Sequence, residues 1–290
     1  MRIQLRITGS KRVVWRAALA VVATGTIATT AAAHDFWIIP DIFAFSPAES
    51  VRINARQGGN KFPTGTAVPA ERVVDARIIG ASTSAKITDL SVAGTSLRLQ
   101  QKPAAIGQYL IVVGLAPRVF RETPAGVFRF LKAEGGAAEA ARLERENSFA
   151  GLDSVIFTAA SYASTITELG KDGPRAYAKT AGLRLEFVPV NDPSHVHVGD
   201  TLHITMRGNG KPLPGIGIEL ALGLDSAAVA SASASRIPFT ADAKGVVHIP
   251  LSSAGAVMLR SAYASRKLQG DPREWDVSRS TFVFNVGSKH

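Results

Sequence analysis

Two stretches, GDTLHITMRGNGKPLPGIGIEL at 199–220 and FTADAKGVVHIPL at 239–251, decide how the second half of the chain is read. In the first, Leu202, Ile204 and Met206 alternate with Thr201, His203 and Thr205. That period of two is the signature of a strand with one face on a core. RGNGKPLPGIGIEL continues it as a turn followed by a second strand. The second stretch reads as strand, turn at Asp242–Gly245, strand, with His248 out of phase with Val247, Ile249 and Leu251. Just upstream, Leu183, Leu185 and Phe187 of LRLEFVPV share one face in the same way.

This pairing resembles small secreted seven-stranded modules of the carboxypeptidase-regulatory and pilin-B type. Residues 181–290 are therefore expected to form an immunoglobulin-like or prealbumin-like β-sandwich. The first half is also written in strand language. VRINAR (51–56) alternates, RVVDARIIG (72–80) is β-branched, and QYLIVVGL (108–115) reads as a buried strand, with turn-rich QGGNKFPTGTAVP at 57–69. Without helical crossovers to support a parallel sheet, residues 34–135 are expected as an antiparallel β-sandwich. GAAEAARLERENSFAGLDSVIFTAASYASTITELG (136–170) has helix-favouring composition and predicts one or two helices packed beside it. GKDGPRAYAKTAG (170–182) breaks the pattern as a linker, so 136–180 is read as a helical insertion and linker in a mainly β chain.

Arg2, Arg6, Lys11, Arg12 and Arg16 precede an apolar run, Ala17–Ala28, too short to span a bilayer and ending in small residues. Residues 1–33 thus read as a cleaved signal peptide, with the cut near Ala33/His34 and a periplasmic or secreted product that has no stable membrane insertion. The remaining 257 residues keep 28 Lys+Arg against 23 Asp+Glu, a net of +5 in place of +10. The basic residues are scattered, which argues against a nucleic-acid partner. Cys is absent, so neither disulfides nor thiolate metal sites are available.

AHDFWIIP (33–40), RAYAKTAGLRLEFVPVNDP (175–193), the two stretches quoted first and REWDVSRSTFVFNV (273–286) together resemble a bacterial family of secreted domains of unknown function, family 4198. Its members are labelled periplasmic components of nickel or cobalt transport. The resemblance implies extracytoplasmic handling of a divalent transition metal, and it carries over most directly onto His34 and Asp35. Tyr177, Lys179, Trp275 and Asp276 also match its motifs. The chain departs from metal-associated relatives at RQGGNKFP, where Asn60 and Lys61 stand in place of a histidine.

With six His and no Cys, a transition-metal site here must use imidazole, carboxylate, backbone or a terminal amine. A signal cut after Ala33 gives His34 an amine beside its ring, a chelate suited to Cu(II) or Ni(II); a cut after Ala31 gives an Ala-Ala-His chelate for the same ions. His195 and His197 in NDPSHVHVGD alternate with valines, so in an extended chain both reach one ion, with Asp192 or Asp200 adding oxygen. The alternative for each is a polar residue at a strand start or turn. His203 and His248 are read as solvent-side strand residues, and Trp37 and Trp275 as packing residues. Motifs for a nucleophile elbow, a phosphate loop, HExxH and a dinucleotide fingerprint are all missing from the sequence, so no catalytic residue is assigned.

The expectation is a non-enzymatic binding protein for Ni, Co or Cu, or a complex of the ion, with metal ligands His34, Asp35, His195 and His197. Its partner would be an inner- or outer-membrane uptake component. Two further readings stand beside it: a cell-envelope interaction module without metal, and a copper redox protein built on the terminal histidine.

Overall fold

A computed structural model describes residues 35–59, 62–223, 236–267 and 269–289. The signal segment, His34, Asn60, Lys61 and His290 lie outside the described residues. The first half comprises β1 (Asp35–Pro40), β2 (Ala44–Phe45), β3 (Val51–Gly58), β4 (Thr66–Ala67), β5 (Val73–Ile79), β6 (Ser84–Lys86), β7 (Asp89–Ala93), β8 (Ser96–Gln101) and β9 (Gly107–Glu122). Helices α1 (Pro124–Ala133) and α2 (Ala137–Arg145) follow, then the long β10 (Val155–Leu169). The second half holds β11 (Leu185–Pro189), β12 (Thr201–Gly208), β13 (Lys211–Pro212), β14 (Gly217–Leu222), β15 (Ile237–Thr240), β16 (Val246–Pro250), β17 (Gly255–Arg266) and β18 (Glu274–Val286).

These strands form three sheets among the described residues. The first runs β1-β3-β8-β7 with β4 on β3, and the third runs β11-β12-β13 with β16 on β12. Between them in composition, the largest runs β15-β14-β17-β18-β10-β9-β5-β6, with β2 on β10, and so draws strands from both halves of the chain. Along β9, Tyr109, Ile111, Val113 and Leu115 join a core with Phe36, Ile38, Ile53, Leu97 and Leu99 of the first sheet. Leu110 and Val112 of the same strand join a core with Leu185, Phe187, Leu202, Ile204 and Met206 of the third. The large sheet is therefore the middle layer of a three-layer stack, buried on both faces. This is why QYLIVVGL is apolar without alternation.

The fold is mainly β with sandwich packing and a helical insertion, as the sequence predicts, and two details differ from the expectation. VIFTAASYASTITEL folds as β10 and not as helix. Its small Ala and Ser residues are what a strand needs when both faces are covered, and its Val, Ile, Phe and Thr residues favour the extended chain. Further, β10 pairs with β18 in parallel, from Ile156↔Glu274 to Thr165↔Val283, and β2 pairs with β10 in parallel. The crossover from β10 to β18 is the whole of residues 170–273, which stands where a helix usually would. Helix α2 falls within the predicted helical stretch. Helix α1 precedes it, started by the Thr123 hydroxyl accepting from Gly126 N at 3.2 Å and by Pro124 in the first turn. Both helices pack Val127, Phe130, Leu131 and Leu143 on Phe157, Ala262 and Trp275 at one end of the middle sheet.

Candidate metal site

Asp35 is nearly buried at the start of β1. Its Oδ1 accepts from Arg260 Nη1 at 2.6 Å and its Oδ2 from Arg236 Nη2 at 3.1 Å. Arg260 also donates to Glu219 Oε2, through Nε at 3.0 Å and Nη2 at 2.5 Å, and to the Ala133 carbonyl at 2.8 Å. The carboxylate that follows His34 thus has its charge balanced by guanidinium groups of the middle sheet. Its evident role is to fasten β1 across that sheet.

His195 lies elsewhere. Asp192 caps a 3-10 turn, Pro193–His195, by accepting from Ser194 N at 2.9 Å through Oδ1, and Gln108 Nε2 donates to the same oxygen at 2.7 Å. The Gln108 carbonyl oxygen in turn accepts from Ala176 N and Tyr177 N at 2.9 and 2.7 Å, tying down the segment that carries Arg175. Held in this way, Asp192 Oδ2 is buried without a hydrogen-bond partner and lies 3.7 Å from His195 Nδ1. From the C-terminal end of strand β10 comes Glu168, whose Oε1 is 3.7 Å from His195 Nε2. Donor atoms of Glu168, Asp192 and His195 all fall within 4.8 Å of one another.

A cation already stands among them. Arg175 Nη1 donates to Glu168 Oε1, Nε sits 3.4 Å from Asp192 Oδ2, and Nη2 is 3.2 Å from both ring nitrogens of His195. Two carboxylates against one guanidinium leave one negative charge, which a divalent ion in place of the guanidinium would balance. An ion held about 2 Å from its donors needs one ring nitrogen of His195 and an inward swing of the carboxylate facing the other. The ring, 54% exposed, is free enough to turn.

His197 is not part of this cluster, because the 3-10 turn replaces the extended chain that would align it with His195. Its Nδ1 is 3.8 Å from Asp200 Oδ2, and its backbone N–H donates to that same oxygen at 2.8 Å. The ring covers Gly287, where a Cβ would meet His197 Cδ2 at 2.5 Å. A cavity of about 180 Å3 opens beside it, with Glu168 in its wall, so cavity and donor cluster share one carboxylate.

Sequence reasoning missed Glu168 and Arg175, the first because its strand was read as helix and the second because it lay in the linker. It placed His203 and His248 correctly on the outer faces of their strands. The register then sets them directly opposite each other, with Nδ1 atoms 2.7 Å apart and Asp242 Oδ2 at 3.5 Å from His248 Nε2.

The profile of the family described as "Domain of unknown function (DUF4198)" matches residues 31–265. The chain belongs to this family. The DUF4198 match takes in β1, the helices, the Glu168–Asp192–His195 cluster and most of β17, and so crosses from one half of the chain to the other through the shared sheet. No curated protein matches the chain. Among solved structures, trypsin-activated alpha-2-macroglobulin from Escherichia coli overlaps at 11% identity and a TM-score of 0.21, covering 87% of this chain and 15% of its own. A tetra-tandem repeat from the extending region of a large adhesion protein overlaps at 11% identity and 0.23, covering 88% and 49%. Murine CEACAM1b gives 9% identity and 0.19, covering 88% and 100%. Scores this low do not establish a shared fold. Among the described residues no helix is long and apolar enough to cross a membrane.

Proposed function

We propose that the protein is an extracytoplasmic binder of a divalent transition metal, Ni(II), Co(II) or Cu(II), or of a small complex of the ion, and that it supports uptake through a membrane component. The ligands are Glu168, Asp192 and His195. The observation that carries this reading is that Glu168 of β10 meets Asp192 and His195 of one turn with all three donors within 4.8 Å, one of them a buried carboxylate oxygen that accepts no hydrogen bond. Its charge is met by Arg175 Nε at 3.4 Å without a formed hydrogen bond, and a bound ion would satisfy it more closely. Two oxygens and one imidazole nitrogen suit borderline divalent ions.

Arg175 is the resident cation that gives way when metal binds, and the 180 Å3 cavity behind Glu168 leaves room for whatever accompanies the ion. The label carried by the resembled family supports nickel or cobalt as the cargo. The signal-like start of the chain supports a periplasmic or secreted location.

Calorimetric titration of Ni(II), Co(II) and Cu(II) into metal-free protein tests the reading. Binding tighter than about 10 μM is expected, falling at least tenfold in Glu168→Gln and in His195→Ala. Wild-type protein that binds none of the three ions more tightly than that would leave an envelope interaction module as the better account. Binding unchanged in both variants would move the site away from this cluster.

A further inference from the structure

A second cavity, of about 210 Å3, lies where the first sheet, the outer part of β9, helix α1 and β18 meet. Three guanidinium groups line it, from Arg72, Arg118 and Arg279, and no carboxylate does. Like charges gathered in one partly desolvated space repel, and Arg72 is held below its ordinary pKa first by burial and then by Arg118 and Arg279.

The protein supplies little to offset this. Among the described residues Arg72 Nη2 donates only to the Ala116 carbonyl, at 3.3 Å. The Arg118 side chain, on the exposed end of β9, has no ion pair or hydrogen bond among the described residues. Arg279 is better served, with Glu134 Oε1 and Ser161 Oγ each at 2.5 Å from its two terminal nitrogens, yet its Nε is buried without a partner. Three cations therefore share one carboxylate, which touches only the third of them.

The rest of the wall is aromatic. Phe36, Phe120 and Phe130 line the cavity. Phe120 is stacked on Phe157 at 5.1 Å and Phe130 sits under the Arg279 guanidinium at 5.3 Å, so these rings are fixed in place. Gln57 and Thr66 add neutral polar groups at the edge formed by β3 and β4. Guanidinium groups pair with carboxylates through two parallel hydrogen bonds, while aromatic walls favour a flat apolar body over a fully hydrated ion. The volume is below the usual range for drug-sized ligands and suits a single ring.

From this geometry we infer that the Arg72–Arg118–Arg279 cavity binds a small organic carboxylate with a planar apolar body. The carboxylate sits among the guanidinium groups and the body lies on the phenylalanine wall. The site shares no residue with the Glu168–Asp192–His195 cluster and stands or falls independently of metal binding.

Calorimetric titration of the full chain with benzoate, and separately with inorganic phosphate, tests the inference. Benzoate is expected to bind with a Kd below about 1 mM, phosphate at least tenfold more weakly. Arg118→Ala, a change at an exposed position that leaves the fold intact, should weaken benzoate tenfold or more, and Arg72→Met should do the same. Failure of benzoate to saturate the protein by about 10 mM overturns the inference. So does phosphate binding as tightly as benzoate, or benzoate affinity unchanged in both variants.

Discussion

The Asp35 carboxylate and the Arg260 guanidinium meet at 2.6 Å across 225 residues of sequence, with 5% and 3% of their side-chain surfaces exposed. This pair fastens the first described residue of the chain to the middle sheet. Removing Asp35 takes one of two carboxylates from the buried Arg260, which keeps Glu219, so Asp35→Ala should lower the unfolding free energy by about 3 kcal/mol, the low end for a broken buried pair, in urea titrations. Metal affinity at the Glu168 cluster should stay within about twofold of wild type. A stable Asp35→Ala protein that no longer binds metal would instead make Asp35 a ligand.

Arg175 competes with the ion for Glu168 and Asp192. Its replacement by Ala should therefore tighten Ni(II) binding, by about tenfold or 1.4 kcal/mol, as read by calorimetry. If Arg175 only braces the turn, affinity in Arg175→Ala will fall or stay level.

The seat of α2 on the middle sheet depends on Gly217. A Cβ there would lie 2.7 Å from Ala138 Cβ, and both positions are on rigid backbone. Gly217→Ala should cost about 1–3 kcal/mol by overpacking. Ala138→Gly in the same chain should recover part of that loss, giving a favourable coupling in a double-mutant cycle. Strictly additive effects would mean that the two residues do not touch.

Burial raises the pKa of Glu134, and the Arg279 guanidinium opposes this. Glu219 moves in the same direction, again first through burial. A carboxyl raised on folding contributes stability that is fully present below its unfolded pKa and is lost as pH rises through the folded one. The contribution of these groups to stability should therefore decline as pH rises above about 4.5. Glu134→Gln is neutral at every pH, so it should lie nearest wild type below about pH 4.5, and its stability should change less steeply with pH above that. Parallel curves for the two proteins would contradict the assignment.

Much of the outer architecture was legible because one-sided burial writes a period of two. Leu202, Ile204 and Met206 are buried and His203 is not, as their alternation predicts, and the turn at Asp242–Gly245 lies where its residues place it. The middle sheet was harder to read. A strand covered on both faces does not alternate, and β10 meets that demand with Ala and Ser, which composition alone assigns to helix. Nor does local sequence reveal that β10 and β18 run side by side, since that pairing is set by packing between halves of the chain. The candidate site suffered accordingly. His195 and Asp192 were visible as neighbours in sequence, whereas Glu168 reaches them only through the β10 placement. Helix α1 did leave a signal, Thr123-Pro124 ahead of an apolar run, that composition overlooked.

The most direct test of the central claim is anomalous diffraction at the nickel edge from crystals of the protein grown with Ni(II). The strongest peak is expected between Glu168 and His195, about 2.0–2.2 Å from a Glu168 oxygen, Asp192 Oδ2 and one ring nitrogen of His195, with the Arg175 side chain turned away. An ion at His203 and His248 or at His34, with Arg175 still seated between Glu168 and Asp192, would contradict it.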